Sequence, residues 1–189
     1  MPIQRRFRRS QATAVVPEPR KGSSAFDPSG DLWVVEMGGY PEKERGGRVK
    51  RLRDTDQDGQ FDQSHLFLDE LSYPTGVLPW RDGLLISAAP DILHAVDTDT
   101  DHVANVVERL FTGFRLANPQ HRINGFTYDL DHSVHLASGD NLGEIKSVLT
   151  NETVNASGRD IQIWPDDGRM RVTAGRSQYV RSRNDWGEW

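Results

Sequence analysis

Apolar residues along the chain come mostly in short runs of four to six, bounded by Gly, Pro, Asp and Asn. No stretch repeats its apolar positions every 3.6 residues over three turns, as an amphipathic helix would. The runs are rich in Val, Ile, Leu and Trp, and short runs of this composition between turn residues are typical of β-strands. The pattern therefore predicts an all-β protein.

A strand, a tight turn and a second strand occur three times, in "FDPSGDLWVVEM" (26–37), "VLPWRDGLLISA" (77–88) and "FTYDLDHSVHLASG" (126–139). The second strands of these hairpins begin at Leu32, Leu84 and Val134, which are 52 and 50 residues apart. A repeat of about fifty residues, with about four short strands in each unit, is the signature of β-propeller blades.

A second repeat, offset from the first, supports this interpretation. Residues 52–71 align without gaps on residues 95–114, a shift of 43, and each copy has a strand, an acidic loop and a strand. A third unit combines "EIKSVL" (144–149) with "DIQIWPDDGRMRV" (160–172). We expect about three blades over residues 25–189, and because propellers typically need four to eight blades, we expect an incomplete ring.

Composition and charge narrow the classes of function. The chain has 189 residues, a net charge of -5 and no cysteine. The acidic balance argues against a general affinity for nucleic acid, and the lack of cysteine excludes disulfides and thiolate metal sites. No apolar segment approaches the roughly 18 to 20 residues of a membrane span, and no export signal is visible.

Residues 1–24 form a separate basic segment, which we expect to be poorly ordered. It carries an arginine block and continues into Pro, Gly and Ser. Two interpretations of the block are open, a solvated leader or an arm that binds nucleic acid or a lipid surface. The arginines are Arg5, Arg6, Arg8 and Arg9.

The first acidic loop matches part of a calcium-binding loop. Alternate carboxylates on a turning backbone can converge on one hard cation, and Gly allows the sharp bend. Positions 1, 3, 5, 6 and 9 of the motif are Asp54, Asp56, Asp58, Gly59 and Asp62. Position 12 is His65 instead of the usual bidentate Glu. The loop is predicted to bind calcium, with a solvated hairpin loop as the alternative.

The second acidic loop repeats the pattern with two changes. It has Glu108 at position 12, but His102 stands where Gly is expected. Non-Gly residues disfavour a positive φ, although His tolerates it better than most. The remaining candidate ligands are Asp97, Asp99, Asp101 and Asn105.

The stretch "NPQHRING" (118–125) holds the candidate catalytic group, His121. It lies before a strand that starts near Ile123, and Asp140 follows the second strand of the same hairpin. The two ends of a hairpin lie side by side, so His121 and Asp140 should be neighbours. A carboxylate beside an imidazole fixes its tautomer and supports a general base. The alternative is a polar loop without catalytic function.

Several long motifs resemble a known family. They are "FDPSGDLWVVEMGGYP", "GRVKRLRDTDQDGQFD", "PTGVLPWRDGLLISAAPDIL", "LFTGF", "NPQHRING" and "GRSQYVRSRNDWGEW". Together they resemble the propeller domain of bacterial PVC-type membrane-bound dehydrogenases, which are related to the glucose/sorbosone dehydrogenases. The resemblance covers about residues 25–189 and implies the N-terminal half of a six-bladed propeller, often followed in complete relatives by helical repeats and a cytochrome c domain.

The resemblance also implies chemistry. A sugar or alcohol would be oxidised with pyrroloquinoline quinone and calcium, in a periplasmic or secreted protein with a cytochrome c as electron acceptor. His121 would take the hydroxyl proton, and Asp140 would orient the imidazole of His121. The Arg-Asn-Pro stretch of the relatives is not evident near residues 175–178. Arg122, Lys146 and Arg176 are candidates to bind the quinone carboxylates by charge and position, with solvated surface residues as the other interpretation.

A different class of function fits the same sequence. Propellers often serve as binding scaffolds, because the fold does not dictate the chemistry. The alternative to an enzyme is therefore a non-catalytic propeller that binds calcium and a carbohydrate or protein partner.

Overall fold

The computed structural model describes residues 21–116, 118–139 and 143–189. These residues form fourteen β-strands and one 3₁₀ turn, with no α-helix among them. The prediction of an all-β protein is confirmed. Most of the basic leader, residues 1–20, and the candidate catalytic residue Asp140 lie outside the described residues. None of the described segments has the helical length and apolar character needed to cross a bilayer.

The first sheet is antiparallel and follows the chain order. Its strands are β1 (Lys21–Phe26), β2 (Leu32–Glu36), β3 (Gly47–Arg53) and β4 (Gln63–Leu71). The β1–β2 hairpin is the first of the three predicted hairpins. Its turn forms because the Asp27 carboxylate accepts the backbone N–H groups of Ser29, at 2.9 Å, and Asp31, at 3.1 Å, while Gly30 takes a φ of 93°.

The second sheet has six strands instead of the expected four. In sheet order they are β5 (Gly76–Trp80), β6 (Gly83–Ala88), β7 (Asp91–Val96), β8 (Val106–Thr112), β11 (Glu144–Ser147) and β12 (Thr153–Asn155). The assignment of "EIKSVL" to the third unit is wrong, because β11 pairs with β8 and Val148 N–H donates to the carbonyl of Leu110 at 2.9 Å. Without β11, backbone N–H and C=O groups along the outer edge of β8 would be unpaired. The strand β11 pairs with them.

The third sheet is also antiparallel. Its strands, from one edge to the other, are β9 (Asn124–Tyr128), β10 (Val134–Ala137), β13 (Ile161–Trp164) and β14 (Arg169–Val172). The β9–β10 hairpin is the third predicted hairpin, and Gly168 (φ 73°) closes the predicted Asp-Asp-Gly turn before β14.

Two apolar cores hold the three sheets together. One lies between the first and second sheets and includes Val35, Val49 and Ile86, and the other lies between the second and third sheets and includes Phe111 and Leu136. The first strands of the sheets are neighbours, because β5 contacts both β1 and β9. The sheets therefore pack face to face in chain order, and none of them closes on itself within the described residues.

The packing gives the molecule two distinct ends. At the turn end, the hairpin turn 27–31 and the turn at 81–82 border one cavity together with the second acidic loop. At the opposite end, the strands β1, β5 and β9 begin beside a second cavity. We call this end the cavity end. A five-residue strand such as β5 separates the two ends by roughly 17 Å.

Candidate functional site

A cavity of 440 Å³ opens at the cavity end, beside the start of the first strand of each sheet. Its walls come from Ser23 in β1, Thr75 before β5, Gln120 and Arg122 before β9, and Tyr179 from the C-terminal segment. Ligand pockets usually form where several elements converge, and this volume is in the range of small-molecule sites.

The chain enters the third hairpin beside this cavity through a 3₁₀ turn, Pro119–His121. The Asn118 side chain caps the turn by accepting the Gln120 N–H at 3.0 Å. The turn leads directly into β9, which places both neighbours of His121 in the cavity wall. His121 is half-buried, and its Nε2 lies 3.5 Å from Nε2 of Gln178.

The far end of the same hairpin returns to His121. Gly139, two residues after β10, takes a φ of 59°, and a Cβ on it would lie 2.5 Å from the carbonyl oxygen of His121. Only glycine allows this contact without a shift of the backbone. The prediction that the two ends of the hairpin meet is confirmed for residues 121 and 139. The pairing of His121 with Asp140 stays a prediction, because Asp140 is outside the described residues.

Gly139→Ala should destabilise the protein more than Gly158→Ala. Both glycines have a positive φ, 59° and 70°, so each substitution costs about 1–2 kcal/mol of backbone strain. Gly158 has no atom within 4 Å of the added Cβ, whereas Gly139 has the carbonyls of His121 and Arg122. The overlap adds about 1–3 kcal/mol. Urea denaturation measures the difference, and equal losses in the two variants would show that the hairpin ends do not touch.

Arg122 is the buried cation of the site, with 3% of its surface exposed. Its Nη1 donates to Ser72 Oγ at 3.3 Å and its Nη2 to the Leu116 carbonyl at 2.9 Å, and the guanidinium lies 5.1 Å from the Tyr73 ring centroid. Nε has no hydrogen-bond partner. Burial lowers the pKa of Arg122, and Glu44 opposes this effect. The interpretation of Arg122 as a solvated residue is wrong.

The other two predicted cofactor cations lie elsewhere. Lys146 is exposed on β11, toward the outer edge of the second sheet, and Arg176 is exposed in the segment after β14. Neither belongs to the described residues that line the cavity. Of the three cations, only Arg122 is placed to meet a ligand there.

Both acidic loops bring three carboxylates together, as the spacing predicts. One oxygen from each of Asp54, Asp56 and Asp58 lies within 4.8 Å of the others, and the same holds for one oxygen from each of Asp97, Asp99 and Asp101. The sixth position has a positive φ in both loops, 88° at Gly59 and 76° at His102. The histidine therefore adopts the conformation for which glycine is usually required.

The remaining predicted metal ligands do not join the two triads. In each loop, the side-chain oxygen at position 9 accepts a hydrogen bond from the backbone N–H at position 2. Thr55 N–H donates to Asp62 at 3.3 Å, and Thr98 N–H donates to Asn105 at 2.9 Å. Glu108 is exposed within β8, outside the second triad. Each loop thus offers a triad and no fourth carboxylate among the described residues.

Backbone donors already bind the carboxylates of these loops. Burial raises the pKa of Asp97, but the N–H groups of His102, at 2.9 Å, and Thr100, at 2.7 Å, outweigh it and hold the pKa below its usual range. The residues fit a hard cation by ligand type. Both loops are at the turn end, where the second one borders the cavity between the hairpin turns. A cation there would be far from the cavity beside Arg122 and would act on structure.

The structure contains a histidine–carboxylate pair that the sequence interpretation missed. Nε2 of His135, a buried residue of β10, lies 3.2 Å from the Asp129 carboxylate, and Trp189 stacks on the imidazole with the ring centroids 3.7 Å apart. Burial and the Arg181 charge lower the pKa of His135, whereas Asp129 raises it. The pair is covered by Trp189, so it serves to attach the C-terminal segment. The signal available in the sequence was the position of Asp129 and His135 on either side of one predicted turn.

Fold and site define an all-β protein in which three antiparallel sheets surround a cavity over a buried arginine. The chain belongs to the family DUF7133, a domain of unknown function, whose sequence model matches residues 18–189. No curated protein matches the sequence. Among solved structures, the chain is similar to one described as the extracellular domain of a one-component system from B. thetaiotaomicron. The sequence identity is 14% and the TM-score 0.42, over 84% of this chain and 25% of that chain.

Proposed function

We propose that the three sheets are consecutive blades of a β-propeller, within an oxidoreductase domain of the glucose/sorbosone dehydrogenase type. The domain oxidises a sugar or an alcohol with a quinone cofactor. The observation that carries the proposal is the closure of the third hairpin, which brings the backbone at Gly139 against His121 beside a 440 Å³ cavity.

The arrangement of the sheets supports the propeller. In each sheet the strands run antiparallel, and the first strands of the three sheets, β1, β5 and β9, are neighbours at the centre of the packing. The two cores lie between successive sheets. Radial repetition of such sheets around a central axis is the propeller architecture.

His121, Asp140 and Arg122 have separate roles in this proposal. His121 takes the proton of the substrate hydroxyl, and Asp140 holds the imidazole in the orientation for this transfer. Arg122 supplies positive charge for the carboxylates of the cofactor. A quinone bound there would supply the hydride acceptor. As the resemblance implies, a periplasmic or secreted location and a cytochrome c as the final electron acceptor belong to the same proposal.

Calcium has a structural role in this account. The two carboxylate triads are at the turn end, roughly 17 Å from the cavity by the length of β5. A cation in each loop would neutralise three negative charges and fix the connection between two strands. The proton transfer does not require it.

The second candidate is a non-catalytic propeller that binds calcium and a carbohydrate or protein partner. The observation that favours it is the distance between the carboxylate triads and the cavity beside Arg122. Because of this distance, metal binding does not depend on any chemistry near His121. The fold alone does not decide between the two candidates.

One reconstitution separates the candidates. The whole protein is titrated with calcium in a calorimeter, then loaded with pyrroloquinoline quinone and assayed for dye-coupled oxidation of aldoses and simple alcohols. The enzyme predicts dye reduction that requires the quinone. Heat of calcium binding without any dye reduction would support the binding scaffold instead. No heat at millimolar calcium would remove the metal from both accounts.

A further inference from the structure

Two histidines from different sheets lie against each other at the turn end. His65 is in β4 of the first sheet, and His102 is in the second acidic loop, between β7 and β8 of the second sheet. Their ring centroids are 4.3 Å apart, and the ring planes are inclined by 44°. Both residues are half-buried. The two imidazoles therefore meet where the first sheet contacts the second.

A backbone contact beside the pair fixes its position. Ala104 N–H donates to the Phe67 carbonyl at 2.8 Å, which attaches the end of the loop to β4. Phe67 follows His65 by two residues, and Ala104 follows His102 by two residues. Phe67 and Ala104 also belong to the apolar core between the two sheets. The imidazoles are thus brought together by packing and by a hydrogen bond that do not require a ligand.

Each of the two histidines replaces a residue of the calcium motif. His65 stands at position 12 of the first loop, where the second loop has Glu108, and His102 stands at position 6 of the second loop, where the first has Gly59. In the sequence the two replacements are separate, but in the structure the replacing side chains are in contact. His102 also has a φ of 76°, which glycine would adopt at less cost. Its imidazole should therefore have a role of its own.

The ring nitrogens of the pair are not engaged by the protein. Within the described residues the His102 imidazole makes no hydrogen bond, and Nε2 of His65 lies 3.4 Å from Oε1 of Gln63, a long contact. Neither histidine joins a carboxylate triad there. His135, in contrast, is held by the Asp129 carboxylate at 3.2 Å. The nitrogens of the pair are available to a ligand from solution.

We propose that His65 and His102 together bind one divalent transition-metal ion of the zinc type. Imidazole nitrogen suits zinc, copper and nickel, whereas carboxylate oxygen suits calcium. Zinc–nitrogen bonds are about 2.0–2.1 Å long, so two nitrogens on one ion lie roughly 3–3.5 Å apart. Rings with centroids 4.3 Å apart reach this separation by rotation. Water completes the coordination, and the ion joins the first sheet to the second. The site does not depend on the proposed oxidoreductase.

The charges around the pair are compatible with a cation. Arg51 lies opposite His65 on β3, but it is paired with the Asp31 carboxylate, at 2.5 Å from Oδ2, which offsets its charge. On the other side, the Asp97 carboxylate accepts the backbone N–H of His102 at 2.9 Å and supplies negative charge. Because only the folded chain brings the two imidazoles together, the ion stabilises the folded state.

The test is a calorimetric titration of the whole protein, without a histidine tag, with zinc in excess calcium. Excess calcium occupies the carboxylate triads, and a slightly alkaline pH keeps the imidazoles neutral. His65→Gln and His102→Gly should each weaken zinc binding about tenfold or more, since loss of an outer-shell partner alone costs that much. His132→Gln, which changes an exposed histidine of the β9–β10 turn, should bind zinc like the unaltered protein.

His102→Gly separates loss of the site from loss of the fold. It puts the motif residue at a positive φ, so the variant should fold and keep its response to calcium. Zinc should raise the melting temperature of the unaltered protein and leave that of His102→Gly unchanged. Unchanged zinc affinity in either His65→Gln or His102→Gly overturns the proposal. No zinc binding by the unaltered protein, or zinc that calcium displaces, overturns it as well, because the second result assigns the ion to the carboxylate triads.

Discussion

Asp160→Ala is expected to lower the free energy of unfolding by about 3–5 kcal/mol. The Asp160 side chain is fully buried and accepts the N–H of Ser138 at 2.9 Å and the N–H and Oγ of Ser177 at 3.0 and 2.8 Å. Its carboxylate also lies 3.4 Å from Nε of Arg181. Removing it leaves a sheltered guanidinium and two backbone donors without their acceptor.

Chemical denaturation of Asp160→Ala and of Asp185→Ala gives the comparison. Asp185 is exposed in the C-terminal segment, and its substitution should change the free energy of unfolding by less than about 0.5 kcal/mol. A loss in Asp160→Ala no larger than in Asp185→Ala would contradict the network. We also expect the substitution to disturb the wall of the cavity beside Arg122. Asp160 accepts hydrogen bonds from Ser138, next to the end of β10, and from Ser177, in the segment that contributes Tyr179 to that wall.

His121→Gln is expected to lower kcat/KM for sugar oxidation by about 10²–10⁴, the usual contribution of a positioned general base. Glutamine keeps a polar side chain of similar reach but cannot take the proton. The matched control is His132→Gln. His132 is exposed in the β9–β10 turn, at the turn end of the same hairpin, so its substitution should leave the activity unchanged.

The same hairpins show how much the sequence predicts. All three were predicted correctly because their turns are set by local residues, such as the Asp27 carboxylate that binds the amides of Ser29 and Asp31. The carboxylate triads were predicted for the same reason, since each lies within one loop. The strand β11, within "EIKSVL", was placed in the wrong sheet, because its pairing with β8 joins residues that are distant in sequence.

The environment of Arg122 depended even more on distant packing. Its partner Ser72 is 50 residues away in the chain, and Tyr73 covers the guanidinium. No local pattern around "NPQHRING" indicates that the arginine is buried. In contrast, the use of Asp62 and Asn105 by Thr55 and Thr98 could have been predicted, because the threonine occurs at position 2 of both loops.

We propose that His121 and Asp140 act as one unit in the proton transfer, and a double-mutant cycle tests this most directly. We would measure kcat/KM for aldose oxidation in the quinone-loaded protein, in His121→Gln, in Asp140→Asn and in the double variant. Residues that act together give losses that do not add. The account predicts that the double variant loses no more activity than His121→Gln alone. Unchanged activity in His121→Gln, or losses from the two single substitutions that multiply in the double variant, would contradict it.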